Sequence, residues 1–139
     1  ITGRRREMLE RVASSLPADS IKTCPGDVSD EKDVETIVET ALSFEGGIHV
    51  LVNNAAIDQD PPSGVVDMDT DKWRRMLDVN LTGPFLMMKA CIPEMIKAGG
   101  GSIIVCQRPS APAVAVAELS PIPTRTVSPG AKSGRFSFR

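Results

Sequence analysis

Ile48-His49-Val50-Leu51-Val52-Asn53-Asn54-Ala55-Ala56 is a short apolar run that stops abruptly at two amides and two small residues. Val50, Leu51 and Val52 show no alternation, as expected of a strand covered on both faces of a parallel sheet. Asn53 and Asn54 then stand where such a strand leaves the sheet, and Ala55 and Ala56 let something bulky come close. In open α/β sheets the crevice beyond the strand carboxyl ends is the ligand side, so short amides there bind a ligand or pin neighbouring strands. The same Asn-Asn pair also makes an ordinary polar turn.

Upstream, Ile1, Thr2 and Gly3 read as the end of a strand, and Arg4 to Leu16 as a helix with Met8, Leu9, Val12, Ala13 and Leu16 on one face. Arg4, Arg5 and Arg6 put three cations at its N-terminus, against the macrodipole. They form either a solvated basic face or a site for a phosphate. Ser20 to Cys24 reads as the next strand, and Gly26-Asp27-Val28 as the turn after it. Asp27 therefore lies at a strand carboxyl end, on the Asn53 side of the sheet, unless it serves only as a turn residue. Ser29 or Asp30 caps a helix in which Val34, Ile37, Val38, Ala41 and Leu42 repeat at helical spacing, closed by Gly46-Gly47.

Downstream, Ile57 to Asp69 is a polar loop that includes Asp60, Pro61 and Pro62. Asp69 or Thr70 caps a long helical stretch with Trp73, Met76, Leu77 and Leu81 on one side. Gly83-Pro84 is expected to interrupt it, because Pro lacks a backbone donor and clashes with the preceding turn. Phe85, Met88, Ile92, Met95 and Ile96 resume the period, Asn80 stands one turn before the break, and Ser102 to Cys106 reads as another buried strand. Strands alternating with helices of this length give a parallel α/β sheet.

Bulk properties divide the 139 residues in two. Residues 1–106 hold 11 Lys and Arg against 17 Asp and Glu, whereas residues 107–139 hold 5 against 1. The second segment has Pro109, Pro112, Pro121, Pro123 and Pro129 among Ser, Ala and Thr, with no apolar period beyond Ala113 to Ala117, and reads as an irregular, disordered tail. Five cations spread over this tail make only a weak case for nucleic acid. Cys24, Cys91 and Cys106 are odd in number and set among apolar residues, which argues for a reducing compartment such as the cytoplasm and against a disulfide framework or metal site. No apolar run is long enough to span a membrane.

Leu51-Val52-Asn53-Asn54-Ala55-Ala56, Gly26-Asp27-Val28 and Asp78-Val79-Asn80-Leu81-Thr82-Gly83 occur in the order and spacing of the short-chain dehydrogenase/reductase family, and Thr2-Gly3-Arg4, Trp73 and Gly101-Ser102-Ile103-Ile104 agree. Residues 1–106 thus resemble part of a Rossmann-type doubly wound parallel sheet that binds a nicotinamide dinucleotide and acts on a small carbonyl or alcohol. The resemblance implies that Asp27 meets the adenine amino group with Val28 beside the ring, and that Asn53, Ala55 and Ala56 line the adenosine side, Ala56 standing where the family has Gly. It implies that Asn80 is the Asn of the proton relay. Arg4, just after its strand, would favour NADP over NAD, since a cation suits the 2′-phosphate. The long helix over residues 70–98 is where family members pack into oligomers.

The same resemblance places the family's first strand and Gly-rich phosphate loop before Ile1, and its catalytic Ser, Tyr and Lys near Arg108, Pro121 and Arg125. The chain has no Tyr. Arg125 replaces neither the phenol nor a Lys of adjustable pKa. The expectation is a fragment that is inactive alone. The alternatives are a non-catalytic piece that binds nucleotide weakly or associates with an intact homologue, and a product of frameshift or altered splicing near Gln107.

Overall fold

The computed structural model of the chain describes residues 1–58, 64–106 and 114–119. In chain order the elements are β1 (Thr2–Gly3), α1 (Arg6–Ala13), β2 (Cys24–Pro25), α2 (Glu31–Glu45), β3 (Val50–Asn53), a 3-10 turn (Val65–Asp67), α3 (Thr70–Leu77), a π-helical turn (Asp78–Thr82), α4 (Gly83–Lys97), β4 (Gly101–Cys106) and β5 (Val114–Leu119). β1 pairs with β2 in parallel and β3 with β4 in parallel, Leu51 opposite Ile103, giving the expected partial doubly wound α/β fold. Asp60, Pro61 and Pro62 lie outside the described residues, as do Arg108, Pro121 and Arg125.

Helix ends follow local chemistry. The Asp30 carboxylate accepts from the Lys32 and Asp33 amides at 2.9 and 3.0 Å and caps α2, and Gly46 closes that helix in the left-handed region at φ 74°. Asp69 caps α3 by accepting from the Asp71 and Lys72 amides, both at 2.9 Å, and those bonds, Lys72 first, hold its carboxyl below the usual carboxylate range. The core lies between α2, α4 and the β3–β4 ladder. Val34, Ile37 and Val38 meet Leu51, Leu86, Met87, Cys91, Met95 and Ile103, with Met95 fully buried.

Three expectations need correction. β3 is not covered on both faces: Leu51 and Asn53 are buried, while Val50 and Val52 are 58% and 54% exposed. α2 and α4 touch each other and share the covered side. α1 touches β1 and β2, and no described element lies over the Val50 and Val52 face. Gly83-Pro84 does not break the long helix. The π turn adds one residue to the circuit, Gly83 N–H bonding back to Asp78 O, and this places Pro84 in the first turn of α4, where a missing N–H costs nothing. The extra residue also rotates the apolar face: Val79, Leu86, Met87, Cys91 and Met95 point inward, whereas Trp73, Leu77, Leu81 and Phe85 are exposed. Finally, the stretch after Cys106 is not wholly irregular. Val114–Leu119 runs antiparallel to β4, Ile104 opposite Val116, where a Val-Ala alternation meets a row of otherwise unpaired backbone groups on β4.

Candidate functional site

Arg4, Asp27-Val28 and Asn53 to Ala56 follow the carboxyl ends of β1, β2 and β3 respectively. Arg4 is exposed and lies between β1 and the N-cap residue Arg5. Gly3 stands opposite Pro25 in the ladder, and Gly26 N–H donates to Gly3 O at 3.1 Å, so the chain leaves β1 and β2 at the same level.

Asp27 is held from three directions. Its backbone N–H donates to Asp33 Oδ2 at 2.8 Å. Oδ1 accepts from the Ser29 amide at 3.0 Å and the Ser29 hydroxyl at 2.7 Å, and Oδ2 takes an ion pair from Arg75 Nη2. Arg75 Nη1 also donates to Ser29 Oγ at 2.6 Å, which closes a ring of three side chains. Partial burial is the largest single influence on the Asp27 carboxyl and pushes its pKa up. Ser29 and Arg75 together outweigh it and hold the group below its ordinary value of 3.8. A carboxylate accepts about four hydrogen bonds. Ser29 and Arg75 supply three, so Oδ2 keeps room for one more donor.

Val28, next along, packs against the core and against α4. A Cβ on Gly83 would lie 2.8 Å from Val28 Cγ2, so only glycine permits this approach. The contact seats the β2 turn on the junction between the π turn and α4.

Asn53 ends β3 and is buried, and its Nδ2 has no hydrogen-bond partner among the described residues. Ala55 is exposed and Ala56 half-buried. Asn80, from the π turn, grips the next residue of that segment: Nδ2 donates to Ile57 O at 2.8 Å and Oδ1 accepts from Ile57 N–H at 2.9 Å. Asn80 and Asn53–Ala56 are thus joined through Ile57. Among the described residues no hydrogen bond links Arg4 or Asp27 to that segment.

The profile of short chain dehydrogenases matches residues 1–112. The chain belongs to the short-chain dehydrogenase family. An uncharacterised oxidoreductase of Staphylococcus aureus (strain MW2) is 33% identical over 104 residues, which cover 75% of this chain and 44% of the relative. The dehydrogenase/reductase SDR family member 4 of Oryctolagus cuniculus is 37% identical over 108 residues, covering 76% and 41%. Among solved structures, a short-chain type dehydrogenase/reductase from Mycobacterium ulcerans superposes with a TM-score of 0.69 at 26% identity, over 76% of this chain and 40% of that one. The 3-ketoacyl-(acyl-carrier-protein) reductase from Brucella melitensis, complexed with NADH, gives 0.68 at 33% identity over 71% and 40%. This short-chain dehydrogenase chain spans less than half the length of each.

Short-chain dehydrogenases use a nicotinamide dinucleotide. The residues present fit the adenosine end of one. Asp27 Oδ2 would offer an acceptor position to an exocyclic amino group and Val28 an apolar edge beside it, and Arg4 is exposed after β1 with no hydrogen bond or ion pair among the described residues. Sequence reasoning missed Arg75, Ser29 and Ile57. Arg75 stands 48 positions from Asp27, and nothing in local pattern pairs them.

Proposed function

We propose that residues 1–106 are the adenosine-binding and relay-supporting part of an NADP-dependent short-chain oxidoreductase, acting in its complete form on a small carbonyl or alcohol in a reducing compartment such as the cytoplasm. The observation that carries the reading is the Asp27 carboxylate: ionised, oriented by Ser29 and Arg75, and left with one acceptor position at the end of β2. Asp27 accepts the adenine amino group, Val28 flanks the ring, and Arg4 meets the 2′-phosphate as a point of positive charge. Asn53, Ala55 and Ala56 shape the floor. Asn80 keeps that floor at a fixed height by holding Ile57, which is its positioning contribution to the relay. The bound nicotinamide supplies the hydride chemistry. Without a Tyr this chain has no phenol to move the proton, so it is inactive by itself.

Calorimetric titration with NADPH and NADH tests the reading. NADPH binding tighter than NADH, with the order reversed by Arg4→Asp, supports it. Equal affinities unchanged by the substitution, or turnover of either cofactor by the chain alone, overturn it. The exposed row of Trp73, Leu77, Leu81 and Phe85 favours a second reading, in which residues 70–98 associate with an intact homologue or a second copy without catalysis. Association without any nucleotide binding would select it.

A further inference from the structure

The side chains around Asp27 fix the direction of every proton between them. Arg75 Nη1 donates to Ser29 Oγ at 2.6 Å, and a guanidinium has donors only. The single hydroxyl proton of Ser29 is therefore directed at Asp27 Oδ1, 2.7 Å away. The Ser29 amide gives Oδ1 a second proton at 3.0 Å, and Arg75 Nη2 gives one to Oδ2. Every described hydrogen bond to this carboxylate thus brings a proton toward it. The group is held below its ordinary value of 3.8 and carries no proton of its own at neutral pH. Both lone pairs of Oδ1 are taken, so the open position belongs to Oδ2. The ring draws on distant parts of the chain: Ser29 directly precedes Asp30, the N-cap of α2, and Arg75 comes from the last turn of α3. The Asp27 backbone is held separately, its N–H donating to Asp33 Oδ2 at 2.8 Å, so loss of Arg75 frees the side chain and leaves the turn in place.

We propose that Arg75, acting on Asp27 directly and through Ser29, is the positioning residue that makes Asp27 an acceptor-only group and so sets the selectivity of the nucleotide site for an amino-purine over an oxo-purine. The inference rests on the reading of residues 1–106 as an adenosine site. An exocyclic amino group places an N–H on the open Oδ2 position. An oxo group sets a carbonyl oxygen there with no proton between the two oxygens, and Asp27 cannot turn to offer Oδ1 instead, because Ser29 fills it. One charge-assisted hydrogen bond gained by the first base and denied to the second corresponds to about thirtyfold in affinity. The planar fork of Arg75 spans Ser29 Oγ and Asp27 Oδ2 at once, which a point charge does not do. Without it Oδ2 is no longer aimed, and the cost falls on the amino-purine alone, since the oxo-purine has no bond there to lose.

The test titrates the full 139-residue chain with NADPH and with its hypoxanthine analogue, which carries an oxo group in place of the adenine amino group. The parent should bind NADPH about thirtyfold more tightly than the analogue. Arg75→Met and Ser29→Ala should each lower that ratio to about threefold by weakening NADPH, with the affinity for the analogue changed by no more than about twofold. Ser29→Thr keeps the hydroxyl and should hold the parent ratio. A merely structural role would weaken both nucleotides together, and an unchanged affinity for the analogue shows that a variant is folded. The inference is overturned by a parent ratio near one, by an Arg75→Met ratio equal to that of the parent, by equal loss of both nucleotides, or by a Ser29→Thr ratio as low as that of Ser29→Ala. Asp27→Ala separates the two levels of the argument. A ratio lost in Asp27→Ala but kept in Arg75→Met overturns the role of Arg75 alone, whereas a parent chain that binds neither nucleotide overturns the adenosine site and this inference with it.

Discussion

Asn80 and Ile57 form a reciprocal pair: the side-chain amide of Asn80 donates to the Ile57 carbonyl at 2.8 Å while its oxygen accepts the Ile57 amide at 2.9 Å. The side chain acts as one rung of a backbone ladder and ties the end of β3 to the π turn. π turns recur at functional sites because the extra residue redirects a side chain without ending the helix.

Asn80→Asp keeps the acceptor and replaces the donor with a second oxygen aimed at the Ile57 carbonyl. The expected cost is about 1 to 2 kcal/mol, the order of one lost hydrogen bond with an unpaired carbonyl left behind. Urea unfolding gives the magnitude. Hydrogen exchange should quicken at Ile57 and leave α2 unchanged, and a uniform loss of protection would refute the local role.

Arg75→Met removes the cation from Asp27 and the donor to Ser29 Oγ. Asp27 has a folded pKa below its ordinary 3.8, so its contribution to stability is present above that value and is lost as pH falls through the lower folded pKa. The variant should raise the folded pKa and shrink that acid-sensitive contribution. Because Arg75 is about a third exposed, the pair is worth no more than about 1 kcal/mol. Stability curves of parent and variant should differ at pH 6 and converge toward pH 2. A constant offset across that range would remove Asp27 from the explanation.

The sequence revealed different elements to different depths. α2 was legible because Val34, Ile37 and Val38 face one neighbour at helical spacing, and all three are buried. Asn53 was legible as a strand end for the same local reason. The exposed face of β3 was not, because an unbroken apolar run looks the same whether or not a layer covers Val50 and Val52. The π turn was hidden as well: Gly83-Pro84 carries the signal of a break, and only the Gly83 N–H bond back to Asp78 O shows that the helix runs on through it. Arg75 is a tertiary fact, since its partner Asp27 belongs to another strand and another helix crossover. Val114–Leu119 was obscured by the prolines on either side, although pairing depends on the open edge of β4 as much as on its own composition.

Cys91 lies in the core, and burial, with a smaller push from the Glu94 carboxylate, raises its thiol to about 11. Cys24 is buried too, and Cys106 is half-buried. Iodoacetamide at pH 7.5 should therefore alkylate Cys106 first, with Cys91 last because it lacks both access and thiolate. Peptide mass mapping over time gives the order, and adding urea should make the three rates converge. Early labelling of Cys91 in native buffer would contradict its burial against Met95 and Ile103.

Gly83→Ala sets two effects against each other. Alanine favours a helical backbone over glycine by up to about 1 kcal/mol. The added methyl would sit 2.8 Å from Val28 Cγ2, inside contact distance, and overpacking of this kind costs about 1 to 3 kcal/mol. The net expectation is destabilisation. The double variant with Val28→Ala removes the clashing methyl and should recover most of the loss, so the two changes should be non-additive by about 1 kcal/mol or more. Strict additivity in urea unfolding would mean that the β2 turn and α4 do not touch in solution. The coupling matters for nucleotide binding as well, because Val28 follows Asp27 directly: if Gly83→Ala shifts that turn, NADPH affinity should fall in the single variant and return in the double.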